Sequence, residues 1–295
     1  MPKCTYIVLL KNNENNIPYL IESLKNTTGF FTKEFIIIDD GSKDKSLTTL
    51  KLAVNDLPRT TIITQQTQGP AISVNKAVNL ATGDYVHFVE GNEILHPEST
   101  MIMIDSCRKF GAEVACIRLG EAANEKNFTK NLSIQPRLIQ APITQILLNK
   151  IKPLRNIGGA GSLVKRNLLE KTGKADSSIY CQTMSMSLRC AKYSNFVFVN
   201  NVLSLKQKEN TELDKKFGSY NNLRAIYNFA SSHHEICQTI IPELLQHLSL
   251  EMLSQKLKVR YYLQSIRAKY TTSLLLDEVL EFYKTEYEKL FFIST

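Results

Sequence analysis

Phe35-Ile36-Ile37-Ile38-Asp39-Asp40-Gly41-Ser42-Lys43-Asp44-Lys45-Ser46 runs from apolar residues into acids and then into turn residues. The unbroken apolar run predicts a strand buried on both faces, as in the middle of a parallel sheet. Two carboxylates, a glycine and a serine then mark a turn, and a helical pattern follows. Ligands of open α/β sheets bind in the crevice beyond the carboxyl ends of the strands, and Asp39 and Asp40 are expected at that edge. Two acids suit phosphate oxygens poorly, but carboxylates accept N–H and hydroxyl bonds from a base or a ribose. On these residues alone a second reading stands equal: an ordinary strand-to-helix turn, with one acid bonding the backbone near Gly41 and Asp44 capping the next helix.

On the amino-terminal side, Tyr6 to Leu10 reads as a first strand, followed by Asn12, Asn13, Glu14 and a helix carrying Ile17, Leu20, Ile21 and Leu24. Beyond the turn come a helix with Leu47, Leu50, Val54 and Leu57, and a short strand at Thr61–Thr64. A further helix opens at Gly69-Pro70 and closes at Gly83. Strand and helix in alternation predict an α/β fold, a mostly parallel sheet flanked by helices.

Tyr85 to Val89 is a further strand, discharging Glu90-Gly91-Asn92-Glu93 at the edge shared with Asp39. Ser99–Phe110 reads as helix, Ala112–Leu119 as strand, and 120–157 as an irregular excursion over the site with a short helix near Thr144–Lys150. Gly158-Gly159-Ala160-Gly161-Ser162 brings backbone close to a ligand or a neighbouring strand. A short helix within Leu163–Gly173, another within Gln182–Tyr193 and a strand at Phe196–Leu203 complete residues 1–210. From about Ser219 the pattern is wholly helical, with stripes at Tyr220, Leu223, Tyr227 and Ala230, at Leu245, Leu248 and Met252, and at Leu276, Val279, Leu280, Tyr283, Tyr287, Leu290 and Phe291. Residues 211–295 are therefore expected as an all-helical carboxyl-terminal extension.

The 295 residues are 43% hydrophobic, enough for a substantial core, and no apolar run is long enough to span a bilayer. The six cysteines form no Cys-x-x-Cys pair, and no signal-peptide pattern precedes the first strand. They read as reduced, mostly buried thiols of a cytoplasmic protein. The net charge of +8 sits in the second part: residues 1–120 hold 12 basic against 13 acidic side chains, residues 121–295 hold 24 against 15. Between Glu251 and Asp277 no acid occurs, while Lys256, Lys258, Arg260, Arg267 and Lys269 fall among apolar residues. That segment is either a solvated helix face or a peripheral contact with the inner face of a membrane or with an acidic acceptor. Nucleic acid is not expected, since no recognition motif accompanies the charge. His87, His96, His233 and His234 lack metal-ligand spacing and read as structural or solvated.

Taken in order, the blocks from Asn13-Glu14 through Ile38-Asp39-Asp40-Gly41-Ser42, Gly69-Pro70, Asn75, Leu80-Ala81-Thr82-Gly83-Asp84-Tyr85 and Phe88 to Pro97 resemble the family 2 nucleotide-diphosphosugar transferases, which have the GT-A fold. The resemblance covers roughly the first 200 residues. It implies that Asp39 holds the base of a nucleotide-sugar donor, that Asp40 braces the turn, and that Leu10, Asn13 and Glu14 line the nucleotide pocket, with Gly69 and Asn75 beside it. Glu90, Gly91 and Asn92 occupy the family's Asp-x-Asp, which holds Mg²⁺ or Mn²⁺ against the diphosphate, and Glu93 is a substitute ligand. Gln182 and Thr183 occupy the place of the catalytic base.

This sequence departs from the family pattern at three points. Asn92 offers only a neutral amide oxygen to a hard cation. Val74 stands where many members carry an arginine. Thr183 cannot take a proton at neutral pH, though it suits the start of a helix, and Asp176 is the nearest acid to replace it. Two functions follow. One is a glycosyltransferase, inverting and metal-assisted, moving a sugar from a UDP- or dTDP-type donor to a glycan or lipid-linked acceptor in surface-polysaccharide synthesis. The other is a catalytically degenerate domain that binds nucleotide or a partner, with the carboxyl-terminal helices mediating association, for example as a homodimer.

Overall fold

The computed structural model describes residues 1–122, 128, 132–207, 213–252, 254–270 and 276–294. Its centre is β1 (Lys3–Leu10), paired in parallel with β2 (Thr32–Asp39) on one side and with β4 (Tyr85–Glu90) on the other. β3 (Thr60–Thr64) extends the parallel set beyond β2. On the far side β8 (Ser162–Lys165) runs antiparallel between β4 and β6 (Val114–Glu121). β9 (Phe196–Lys206) then lies parallel to β6, and the short β5 (Glu93–Leu95) and β7 (Pro136–Ile139) pair antiparallel with β9. Two successive antiparallel steps return β6 and β9 to the direction of β4. The carboxyl ends of β1, β2, β4 and β9 therefore emerge at one edge of the sheet.

The quoted apolar run behaves as its lack of polar breaks predicts. Ile36 and Ile38 join one core, Phe35 and Ile37 the other, and all four are buried. The second core is closed by α1 (Ile17–Lys25), α2 (Ser46–Ala53) and α4 (Ser99–Phe110). Against the first pack α3 (Pro70–Leu80), α5 (Pro142–Leu147), α6 (Arg166–Lys171) and α7 (Thr183–Ala191).

The carboxyl-terminal helices are α8 (Leu213–Ser231), α9 (His234–Gln238), α10 (Ile241–Glu251), α11 (Gln255–Tyr270) and α12 (Leu276–Ser294). The expected boundary near residue 210 falls outside the described residues. On either side of it the core is shared, because Ile38, Val74 and Leu188 belong to the same buried cluster as Leu223, Leu245 and Tyr283. Of the expected stripes, Leu223, Ala230, Leu248 and Val279 are buried, while the side chains of Leu290 and Phe291 lie outside the described residues.

Residues 120–157 are more regular than their polar sequence suggests. β6 continues to Glu121, β7 adds a strand at Pro136–Ile139, and the short helix starts at Pro142 rather than near Thr144. β9 likewise runs to Lys206, three residues beyond its expected end, since pairing with β5 carries it on through Ser204 and Leu205. Five of the six cysteines are buried, and all six are free thiols. His87 is fully buried in β4 with its Nδ1 3.0 Å from the Thr100 hydroxyl. No helix among the described residues is long and apolar enough to cross a membrane.

Candidate functional site

Where β1, β2 and β4 end, the sheet opens into a cleft of ≈ 330 Å³. Its walls are Leu10, Lys11 and Asn13 after β1, Asp40 after β2, Pro70 and Ser73 on α3, Glu90 to Asn92 after β4, and Asn156 and Tyr180 to Thr183 opposite. This is the crevice that a doubly wound sheet leaves for a ligand.

The two acids of the quoted stretch divide the readings given for them. Asp40 is buried and holds the turn, accepting from Gln65 Nε2 at 2.8 Å and from the backbone N–H groups of Gln68 and Gly69 at 3.0 and 3.1 Å. Desolvation alone would raise its pKa. The bonds from Gln65, Gln68 and Gly69 outweigh it and hold the carboxyl below its ordinary value. Asp39 is the last residue of β2, in register with Leu10, and its carboxylate accepts from the Ser42 hydroxyl. The cleft lining includes Asp40 and not Asp39, which is buried at the end of β2 next to it. Gly41 adopts φ 75°, and a Cβ there would lie 2.8 and 2.9 Å from Thr67 Oγ1 and N, so no side chain fits. Asp44 accepts from Ser46 N at 3.0 Å, but the cap position of α2 is Lys45 and carries no side-chain cap bond.

The other expected nucleotide residues separate into lining and support. Leu10 and Asn13 line the cleft, and Asn13 Oδ1 accepts the Lys11 N–H at 2.9 Å. Glu14 turns away from it, accepting the Lys45 N–H at 2.7 Å. Gly69, at φ 94°, lies beneath the Tyr180 ring, whose atoms come within 2.7 Å of where a Cβ would stand. Asn75 clamps α3 to the 175 loop, donating to Ala175 O and accepting from Ala175 N, both at 2.9 Å.

Three residues were expected to hold a divalent cation, and only Glu90 presents a carboxylate to the cleft. Its Oε1 accepts the Ala160 N–H at 3.1 Å, and its Oε2 is ion-paired with Lys206 Nζ at 2.5 Å. Asn92 donates its amide to Gln207 O at 3.1 Å, tying down the end of β9. Glu93 faces inward, accepting from Gly161 N, Glu90 N and the Ser204 hydroxyl, and burial pushes its pKa up to about 7. Among the described residues no three His, Cys, Asp or Glu side chains are grouped to hold a metal. A cation would have to displace an ammonium and would find one anionic oxygen donor, so this donor set does not fit Mg²⁺ or Mn²⁺.

Thr183 is the first residue of α7, with Gln182 rather than Thr183 at the cap position. Gln182 is buried and donates to Gly158 O at 2.8 Å, which fixes the helix start against the glycine turn. A Cβ on Gly159 would lie 3.0 Å from Thr183 Cγ2 and 3.1 Å from Glu90 Oε1. The two positions assigned to base and metal therefore face each other across Gly159. Asp176 is not on the cleft. Its carboxylate takes Asn228 Nδ2 at 2.9 Å and the Ser178 hydroxyl at 2.7 Å, beside Arg189. Desolvation raises its pKa, but these bonds and the guanidinium hold it below the ordinary range.

Lys11, Asn156, Tyr180 and Lys206 also border the site and are absent from the sequence expectations. None of them carried a local signal: Lys206 lies beyond the expected end of its strand and enters β9 through pairing with β5.

The family model described as Glycosyl transferase family 2 matches residues 5–173. A curated relative in Escherichia coli strain K12, the uncharacterized glycosyltransferase YibD, is 32% identical over 95 residues, which are 32% of this chain and 27% of that protein. The chain thus spans about a quarter of the length of that relative. Among solved structures, S. aureus TarS 1–349 in complex with UDP-GlcNAc superposes with a TM-score of 0.65 at 14% identity, covering 98% of this chain and 89% of that one. The mannosyltransferase PcManGT of Pyrobaculum calidifontis, solved with GDP-Man and Mn²⁺, gives 0.61 at 12% identity, covering 99% and 85%. Likeness at that identity concerns the fold, and the fold is that of the GT-A transferases.

Proposed function

Because the chain belongs to glycosyl transferase family 2, we propose that it moves a sugar from a UDP- or dTDP-type donor to the hydroxyl of a glycan or lipid-linked acceptor, in cell-surface polysaccharide synthesis. The observation that carries this reading is the cleft that gathers Leu10, Asn13, Asp40 and Glu90 on one edge of the sheet, with Thr183 opposite. In this reading Asp39 takes the N–H edge of the base at the end of β2, and Leu10 and Asn13 wall the nucleoside. Asp40, Glu14, Gly69 and Asn75 hold the loops that shape the pocket.

The chemistry then falls to Glu90 and Lys206. The acceptor oxygen attacks the anomeric carbon on the face opposite the diphosphate, the bond to the diphosphate oxygen breaks, and the nucleoside diphosphate leaves. The acceptor proton passes to Glu90, the carboxylate across Gly159 from Thr183. Once protonated, Glu90 no longer neutralises Lys206, and the ammonium is released to the charge gathering on the diphosphate. No metal enters this sequence, in keeping with the poor fit of the donor set.

A second reading, a domain that binds nucleotide without turnover, is favoured by Thr183 itself and by the pairing of Glu90 with Lys206. Donor hydrolysis and transfer assays separate the two. For the enzyme, Glu90→Gln lowers turnover by about 10²-fold or more. For the degenerate domain, the natural chain releases no sugar and Thr183→Asp starts the release.

For localisation, we place the protein in the cytoplasm with peripheral contact at an anionic membrane face. α11 exposes Val259, Tyr262, Leu263 and Ile266 along one side, with Lys256, Arg260 and Lys269 also exposed on this helix. Flotation with anionic vesicles separates this from a homodimer built on the same face.

A further inference from the structure

A second cleft, of ≈ 980 Å³, opens beside the first and shares Asn156 and Thr183 with it. Its lining carries Arg118, Arg137, Lys150, Lys152, Arg155 and Lys206 and no carboxylate. Two of these cations are already neutralised, Arg155 by Glu251 and Lys206 by Glu90. The other four are exposed, and their side chains make no ion pair or hydrogen bond with any described residue. Arg118 on β6 stands opposite Val202 and Arg137 on β7 opposite Phe198, so the two arginines flank β9. Lys150 and Lys152 follow α5 on the other wall.

Beyond them lies a third cleft of ≈ 590 Å³, which shares Arg137, Phe198 and Asn200 with the second and adds Ser133, Gln135 and Asn201. The three clefts form one groove whose lining changes with distance from Thr183. Next to the donor it is cationic, and further out it is amide and hydroxyl. Like charges on a concave wall focus a positive potential that draws anions. Arginine forks match carboxylate and phosphate oxygens in pairs. Amides and hydroxyls bond the hydroxyls of sugars.

We propose that the acceptor is an anionic glycan lying along this groove. Its reactive hydroxyl is at Thr183, its carboxylate or phosphodiester groups lie over Arg118, Arg137, Lys150 and Lys152, and its trailing sugars sit among Asn200, Asn201 and Gln135. Naming this ligand an acceptor rests on the donor reading above. A membrane surface is flat, whereas a concave track leading to the donor position fits an extended chain.

The test is binding of three hexamers to the intact protein: a uronic acid oligomer, a glycerol phosphate oligomer and neutral maltohexaose. At least one acidic hexamer binds, more weakly as salt rises, and maltohexaose binds at least about tenfold more weakly. Which acidic hexamer binds identifies carboxylate or phosphodiester as the charge. The combined variant Arg118→Gln, Arg137→Gln, Lys150→Gln and Lys152→Gln loses that affinity by at least about tenfold. Lys256→Gln, Lys258→Gln and Arg260→Gln together remove nearly as much charge elsewhere and leave it intact.

Equal binding of maltohexaose, wild-type affinity in the groove variant, or capture of anionic vesicles or single-stranded RNA in preference to both acidic hexamers overturns the inference. UDP titration of the same samples is read separately. Its failure overturns the donor reading, and hexamer failure with UDP binding intact overturns the groove.

Discussion

At the scale of single residues, the proposed chemistry turns on the Glu90–Lys206 pair. A carboxylate bound to an ammonium is a poor ligand for a hard cation, and the ammonium already supplies positive charge beside the proposed diphosphate position. Lys206→Met leaves the Glu90 carboxylate facing a diphosphate, so UDP affinity falls by about tenfold or more, about 1.4 kcal/mol. Added Mn²⁺ changes wild-type UDP affinity by less than about threefold. Mn²⁺ tightening wild type more than about tenfold, with Lys206→Met without effect, would restore the metal and remove the lysine. The turn after β2, with Asp39 and Asp40, was legible from its own local pattern, whereas Glu90 and Thr183 were given their roles only by the family resemblance. Lys206 was not legible, because its partner lies 116 residues away and is set by the register of β5 on β9.

At the scale of elements, strands with apolar runs were legible and strands with polar sequences were not. β2 and β4 announce themselves, whereas the end of β9 and all of β7 exist through pairing, which no local pattern records. Glu93 shows what such pairing costs. β5 carries it into the sheet beside Ser204, where burial raises its pKa from the ordinary 4.5 to about 7.

The unfolded chain releases this proton as pH passes 4.5, while the fold retains it until about 7. The fold therefore loses stability across that window, by up to about 3 kcal/mol, and is level above it. Asp40, Asp176 and Glu251, all held below their ordinary values, act in the opposite sense and lose their contribution as pH falls below about 4. Denaturant midpoints from pH 5 to 8 thus decline for the wild type. Glu93→Gln starts lower, having lost an acceptor for a backbone N–H, and shows no decline. Parallel curves for the two proteins would contradict the buried-proton account.

At the scale of the whole molecule, the carboxyl-terminal helices complete the core and brace one wall of the second cleft. Arg155, on the wall of the basic groove, is held by Glu251 of α10, which also takes the amide of Asn222 on α8. The helical periodicity of 219–295 was plain in sequence. That these helices share a core with the sheet was not, because amphipathic stripes say what is buried and not against what. Glu251→Ala strands a largely buried guanidinium beside His247 and costs about 3–5 kcal/mol in chemical denaturation. A loss under about 1 kcal/mol would mean the helices are only loosely attached to the groove.

The central claim is that the edge where the first, second and fourth strands end grips a nucleoside diphosphate. Calorimetric titration of the intact chain and of Asp39→Ala with UDP, dTDP and GDP tests it. Saturable binding of UDP or dTDP at one site, weakened at least about tenfold by the substitution, is the predicted result. No heat with any of the three nucleotides, or unchanged affinity in Asp39→Ala, would contradict it.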